Sequence, residues 1–322
     1  MDKLLEINDL NVGFHVQGGT LSAVHGLSLA IGRGEIYALV GESGCGKSTA
    51  AFSIMGLLDK EDSEVSGSVV FKDKELLGIP ESELYSVRGK EIGMIFQNPI
   101  DSLNPVYRSG AQVSEAIVID GISRTDAWNR VLDLYRDVQI PDPEKRAYSF
   151  PHELSGGMRQ RVMIAMMLSR APELLICDEP TTALDVTIEA QILDIIRRLR
   201  DEHQTSFLVI THNFGIVAEI ADRVGVMYAG ELIEEGSVYT IFDDPKHPYT
   251  AALMRSLPRK SKHEGRLATI EGVVPRILGE SKGCRFANRC PFADEGCKES
   301  APEKRWIEEG HMVCCHKAEV LK

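Results

Sequence analysis

The sequence predicts an α/β protein built on a mainly parallel sheet, and three observations predict it. Short apolar runs alternate with helix-length stretches, the order that folds as strand–helix–strand units. One such run, Ile36 to Val40, leads directly into a glycine-rich loop and then a helical stretch. Another, Leu174 to Cys177, ends in two carboxylates, Asp178 and Glu179.

The elements follow in order. Leu4 to Asn8 and Leu21 to Ile31 read as antiparallel strands around a Gly18-Gly19 turn. After the strand at Ile36 to Val40, Ser48 to Leu58 reads as a helix. Residues 98–170 read as mostly helical, with helices over Ser109 to Asp120, Arg124 to Gln139 and Ser155 to Ser169, interrupted by Pro141 and Pro143. This block stands as an insertion in the strand–helix alternation. The strand at Leu174 precedes a helix over Ile188 to His203. A strand at Phe207 to Ile210 precedes a helix over Asn213 to Ala221. Val224 to Tyr228 and Glu231 to Glu235 form a closing hairpin around Ala229-Gly230.

Composition bounds the function. The chain has 322 residues, 43% hydrophobic and 26% charged, with a net charge of −12. That acidity argues against nucleic acid as the main ligand, which calls for a basic face. No apolar run approaches the roughly 20 residues needed to span a bilayer. The first residues do not read as a signal peptide, so the expectation is a cytoplasmic location with any membrane role through a partner. Residues 246–322 carry 15 basic and 10 acidic side chains, an excess of +5 that leaves −17 for residues 1–245. That segment also holds five of the seven cysteines. Two domains are therefore expected: 1–245, with a helical subdomain at about 98–170, and a distinct 246–322 extension.

Gly41-Glu-Ser43-Gly44-Cys45-Gly46-Lys47-Ser48 matches G-x-x-x-x-G-K-[ST] in full, between a strand and a helix. The glycines let backbone N–H groups turn inward around phosphate, and the helix adds its N-terminal dipole. Lys47 would neutralise β- and γ-phosphate oxygens of ATP, and Ser48, followed by Thr49, would ligate Mg²⁺. Cys45 reads as a small residue tolerated among the glycines. Asp178, at a strand tip, is the second candidate Mg²⁺ ligand. Glu179, one residue on, is the candidate general base for an attacking water.

Leu154-Ser155-Gly156-Gly157-Met158-Arg159-Gln160 narrows the class. Ser155 is a good N-cap, and two glycines leave the first turn bare for an anion. The segment resembles the signature motif of ABC ATPases, and the phosphate loop and acidic strand match that superfamily. The resemblance implies a P-loop NTPase (RecA-like) core with an antiparallel β subdomain and an inserted helical subdomain. It implies a head-to-tail dimer in which each ATP lies between one chain's Lys47 loop and the partner's signature segment, at the positions matching Ser155 and Gly157. By the same resemblance, Gln97 in Met94-Ile-Phe-Gln97 is the glutamine that contacts Mg²⁺ or water and senses the permease. Asp185 in Ala183-Leu184-Asp185 lies on the loop that crosses the dimer. His212 is the switch histidine, followed here by Asn213 where the family usually has Asp. Phe14 is the candidate that stacks on adenine, although a strand phenylalanine serves equally as core.

The cysteines Cys284, Cys290 and Cys297, followed by His311-Met-Val-Cys314-Cys315-His316, admit three readings. Disulfides suit an oxidising compartment. Zinc more often shows a close C-x₂₋₄-C pair, whereas the gaps here are five and six residues. Four widely spaced thiolates also suit an iron–sulfur cluster. His247-Pro-Tyr-Thr250 through Pro258, followed by Cys284 and Cys290, resembles the C-terminal region of oligopeptide/dipeptide importer ATPases, as do Val226 to Gly230 and Thr181 to Thr187. That resemblance implies a [4Fe–4S] cluster on Cys284, Cys290, Cys297 and Cys315, with zinc as the alternative and the choice between Cys314 and Cys315 open. The basic residues Arg285 and Arg289 are expected to offset cluster charge.

The function so implied is ATP hydrolysis powering import of di- or oligopeptides. The partners implied are a second cassette, by resemblance a paralogue, two integral membrane permease subunits and an extracytoplasmic substrate-binding protein. The chain would sit peripherally on the cytoplasmic face of the inner membrane. Similar cassettes serve nickel and oligosaccharide importers. A soluble ABC ATPase acting on DNA or ribosomes is the rival, but only one phosphate loop and one signature occur, without coiled-coil insertions.

Overall fold

The computed structural model describes residues 2–97, 103–181, 186–257, 270–279 and 281–319. Along the chain these are β1 (Lys3–Val16), β2 (Gly19–Gly32), β3 (Ile36–Val40), α1 (Lys47–Ile54), β4 (Ser63–Phe71), β5 (Lys74–Glu75), α2 (Glu81–Val87) and β6 (Ile92–Ile95). Then come α3 (Ser109–Val118), α4 (Arg124–Asp137), α5 (Pro143–Arg146), α6 (Gly156–Leu168), β7 (Leu174–Asp178), α7 (Val186–His203) and β8 (Ser206–Thr211). The remainder are α8 (Phe214–Ile220), β9 (Arg223–Tyr228), β10 (Glu231–Ser237), α9 (Val238–Asp243), α10 (Pro248–Ser256), α11 (Glu295–Glu299), β11 (Lys304–Glu308) and β12 (His311–Cys314).

The chain divides into two compact units, one of residues 33–35 and 79–210, the other of 2–32, 36–78 and 211–322. In the first, β6, β7 and β8 pair in parallel, with Ile92 opposite Leu174 and Leu174 opposite Ser206. Every residue of β7 is buried, the pattern of a strand covered on both faces. Helix α7 buries Ile192, Leu193, Ile195, Ile196 and Leu199, one stripe at helical spacing. The inserted helices form and bury apolar residues of their own. In α4 the buried Ala127, Val131, Leu134 and Tyr135 recur every three or four residues, and Ser123 caps the helix by accepting from the Asp126 N–H. Arg161, 6% exposed, donates to the carbonyls of Val138 and Gln139 and to Gln191. One buried guanidinium thus fastens the end of α4, α6 and α7 together. Pro143 opens α5 rather than interrupting a helix, because a first-turn proline gives up an N–H that has no helical partner; the helix before it already ends at Asp137.

In the second unit β1 pairs antiparallel with β2 and β4. The hairpin at Gly18-Gly19 forms as expected, with Val16 opposite Gly19. Strand β3 runs parallel to β9, and β9 turns antiparallel into β10 through Ala229-Gly230. The C-terminal segment continues this sheet: β12 pairs with β10, and β11 with β12. Glu234 on β10, 0% exposed, explains the attachment. Its carboxyl accepts from the backbone N–H groups of Lys246 (2.6 Å) and His247 (3.0 Å) and sits 2.9 Å from His311 Nε2. No helix among the described residues is long and apolar enough to cross a membrane.

Candidate functional site

The phosphate loop is built as its sequence requires. Strand β3 is wholly buried and delivers the chain to Gly41, and α1 begins at Lys47. Gly46 has φ 103°, and a Cβ there would stand 2.3 Å from the Ala23 carbonyl oxygen. A Cβ at Gly41 would stand 2.3 Å from the Met227 carbonyl oxygen. Backbone crowding and left-handed geometry therefore exclude a side chain at both turns. Ser43 and Gly44 are exposed at the loop tip, and Ser48 and Thr49 are half-buried in the first turn of α1. Lys47 is 5% exposed, and its Nζ donates to the carbonyls of Gly41 (2.8 Å) and Glu42 (3.0 Å). The ammonium thus lies within the ring of the loop, where a bound phosphate would meet it. Cys45 is buried, and burial raises its thiol pKa against the pull of Lys47, so it is a neutral packing residue.

In the other unit, β7 carries Asp178, 3% exposed, to its tip. Glu179 follows with φ 48°, its N–H donating to the Ile210 carbonyl at 2.8 Å. The left-handed turn swings its side chain out of the strand direction. There Gln97 Nε2, just past β6, donates to Glu179 Oε2 at 2.9 Å. Two residues 82 apart in sequence are brought together by adjacent parallel strands.

Helix α6 begins with Ser155 as N-cap, its Oγ accepting from the Met158 N–H at 3.3 Å. Ser155 is exposed, and among the described residues nothing lies within 4 Å of where a Gly156 side chain would begin. Gly156 thus leaves open space beside the first turn of a helix of 13 residues, at the positive end of its dipole. Gln160, quoted in the motif but given no role, is buried and donates to the Pro180 carbonyl at 2.7 Å. It ties the signature helix to the acidic strand end. The signal was its place four residues after Gly156, on the same helix face.

His212 is exposed just past β8. Asn213 caps α8, its Oδ1 accepting from the Gly215 N–H at 2.9 Å, so an amide serves where the family usually places a carboxylate. Phe14 is half-buried near the end of β1, opposite Leu21 and Ser63. Asp185 lies outside the described residues.

In the C-terminal segment the two adjacent cysteines face different surroundings. Cys284, Cys290, Cys297 and Cys315 line one small cavity with His247, Phe286 and Lys317. Cys314 faces elsewhere, its Sγ donating to the Pro302 carbonyl at 3.0 Å. Burial raises the pKa of Cys284 to about 11, with the neighbouring Cys315, Cys290 and Cys297 adding to the rise. Burial raises Cys290 and Cys315 as well. Among the described residues, no group of three or more His, Cys, Asp or Glu is placed to hold a metal ion. Arg285 and Arg289 do not turn to the thiols; they reach Ala229, Glu231 and Glu42.

Comparison with known proteins agrees with this geometry. The ABC transporter family matches residues 24–182, and the oligopeptide/dipeptide transporter C-terminal region matches residues 233–297. The chain is 49% identical to a probable peptide ABC transporter ATP-binding protein of Sinorhizobium fredii, over 98% of this chain and 95% of that one. It is 44% identical to a dipeptide transport ATP-binding protein of Bacillus subtilis, over 98% and 95%. It is similar in structure to a subunit of an ABC transporter complex from Clostridium perfringens, with TM-score 0.66 and 29% identity over 76% of this chain and 92% of that one. With its phosphate loop, signature helix and cysteine-bearing C-terminal region, the chain belongs to the ATP-binding proteins of the oligopeptide/dipeptide family of ABC transporters.

Proposed function

We propose that this chain hydrolyses ATP to power the import of di- or oligopeptides, paired with a second cassette and docked on two membrane permease subunits fed by a substrate-binding protein. Its place is then the cytoplasmic face of the inner membrane. The observation that carries the ATP reading is the Lys47 ammonium held by the carbonyls of its own glycine loop. On this reading Lys47 and the loop N–H groups bind the β- and γ-phosphates. By the resemblance, Ser48, Asp178 and Gln97 would be the residues to hold Mg²⁺, which when bound offsets phosphate charge. Glu179 takes the proton of the attacking water, Gln97 holds its carboxylate in place, and His212 contacts the γ-phosphate. Ser155 and the N-terminus of α6 face the γ-phosphate held by the partner's loop, with Asp185 on the crossing loop and Phe14 on adenine. The peptide assignment rests on what the relatives are named for.

The four cavity cysteines are the set that would hold a [4Fe–4S] cluster, a group that when bound cross-links the C-terminal segment. Four cysteines around one cavity are what supports the cluster reading, with zinc as the alternative. The deciding experiment is peptide uptake by the reconstituted complex with candidate peptides on its binding protein. ATP-dependent uptake is expected. ATP turnover without response to any peptide, or stimulation by nickel or an oligosaccharide instead, would overturn the peptide assignment.

A further inference from the structure

Glu42 is an oddity in a loop that must hold a polyphosphate. Its carboxylate stands two residues from the loop tip and five from Lys47, and an anion there opposes the binding of another. The structure supplies a counter-charge from far along the chain. Arg289, in the cysteine segment and next to Cys290, meets Glu42 in fork-to-fork fashion, with Nη1 to Oε2 at 2.9 Å and Nη2 to Oε1 at 3.1 Å. Its side chain is 7% exposed. Glu42 is 28% exposed, so the arginine is shielded from water and the carboxylate partly so, and the fork holds the two in fixed geometry.

Both partners are anchored from other sides. Arg289 also donates to the carbonyls of Ile270 (3.2 Å) and Glu271 (2.8 Å) and to the Tyr228 hydroxyl (3.3 Å). The Glu42 N–H donates to the Tyr249 hydroxyl at 3.0 Å. A second arginine makes a parallel link. Arg285, next to Cys284, donates to the Ala229 carbonyl at 2.5 Å, and the N–H of the following Gly230 donates to the Cys45 carbonyl at 2.9 Å. Each arginine beside a cavity cysteine thus ends on the phosphate loop or on the turn bonded to it.

We propose that Arg289 is a positioning residue for nucleotide binding: it neutralises and fixes Glu42, so that the affinity of the phosphate loop for ATP depends on the cysteine segment that carries Arg289. The proposal rests on the ATP reading above and adds to it a link between the two ends of this unit. Arg289 touches no phosphate; it removes a charge conflict that the loop would otherwise present to ATP. The fork geometry matters, because a lysine at 289 would supply charge without the second hydrogen bond.

The test is equilibrium binding of a fluorescent ATP analogue to the full chain, with thermal unfolding and iron content measured beside it. Arg289→Ala should weaken binding at least tenfold, about 1.4 kcal/mol. Arg289→Lys should recover part of that loss. Glu42→Gln alone should bind at least as tightly as wild type, because the loop then carries no opposing charge. The decisive variant is Arg289→Ala with Glu42→Gln, in which the carboxylate is gone and the arginine is no longer needed. It should return to within about threefold of wild type, a rescue that a merely structural role for Arg289 does not give. Arg289→Ala binding within twofold of wild type, or a double variant as weak as Arg289→Ala, would overturn the proposal while leaving the ATP reading intact. Wild-type protein that binds no ATP would overturn the ATP reading itself and this proposal with it.

Discussion

Replacing Glu179 by Gln isolates the chemistry from the fold. Glu179 sits at φ 48° with its N–H on the Ile210 carbonyl, and both features are backbone properties that Gln retains. The side-chain oxygen that accepts from Gln97 Nε2 at 2.9 Å also has a counterpart in the amide. The half-buried position adds little cost for a neutral group, so folding stability should change by less than about 0.5 kcal/mol. What disappears is the basic oxygen. Loss of a general base typically costs about 10²- to 10⁴-fold, or about 2.7–5.5 kcal/mol on the barrier. The assay is ATP turnover by the reconstituted transporter, with nucleotide affinity measured in parallel. Turnover within about threefold of wild type, at unchanged affinity, would refute Glu179 as the base.

Other outcomes follow from the same geometry. Gly46→Ala places a Cβ against the Ala23 carbonyl at a left-handed φ, a strain of about 1–2 kcal/mol before the clash is relieved. ATP affinity should fall at least tenfold, and retained affinity would show that the loop has another nucleotide-bound shape. Ser155→Ala removes the cap from the Met158 N–H at a cost of about 1 kcal/mol and should impair ATP-driven pairing of cassettes more than ATP binding by one chain; equal effects on both would count against a role across the pair. Cys315→Ser should lower iron per anaerobically purified chain while Cys314→Ser leaves it near wild type, and the reverse pattern would exchange their assignments. Burial lowers the His247 pKa to about 4, so below its ordinary 6.5 the unfolded chain takes up a proton that the folded one refuses. Stability contributed by the neutral form is full above pH 6.5 and shrinks as pH falls towards 4, by about 2 kcal/mol at pH 5. His247→Asn, which keeps a cap for the Tyr249 N–H, should flatten that slope in unfolding titrations; an unchanged slope would exclude His247 as its source.

The legible parts of this site are those written in contiguous residues. The run from Gly41 to Ser48 dictates its own loop, because crowded glycines and one lysine leave few alternatives. The strand ending at Asp178 was visible as an apolar run with an abrupt charge, and Ser155 as a cap before two glycines. Strand β4 was not visible, because its central residues are exposed and give no alternation to read. The hairpin of β11 and β12 was hidden for a similar reason: β11 is largely exposed on both faces. Long-range polar pairs were the least legible. Arg289 looked like a counter-charge for nearby thiols, yet its partner is 247 residues away. Tyr249 stood out only as part of a family motif, and its hydroxyl proves to be the acceptor for a loop N–H 207 residues distant. Adjacent cysteines could not be told apart by counting; β12 ends at Cys314, and the chain beyond it turns Cys315 to the cavity.

Glu234 gives the C-terminal segment a different standing from an appendage. Its carboxyl has no exposure, and its three partners all come from residues 246–311. A chain shortened after residue 245 would keep the acid and lose every one of those donors. The carboxyl would then stand in the middle of a sheet without its donors, a costly place for a polar group. The segment is therefore hard to remove unless β10 is changed first.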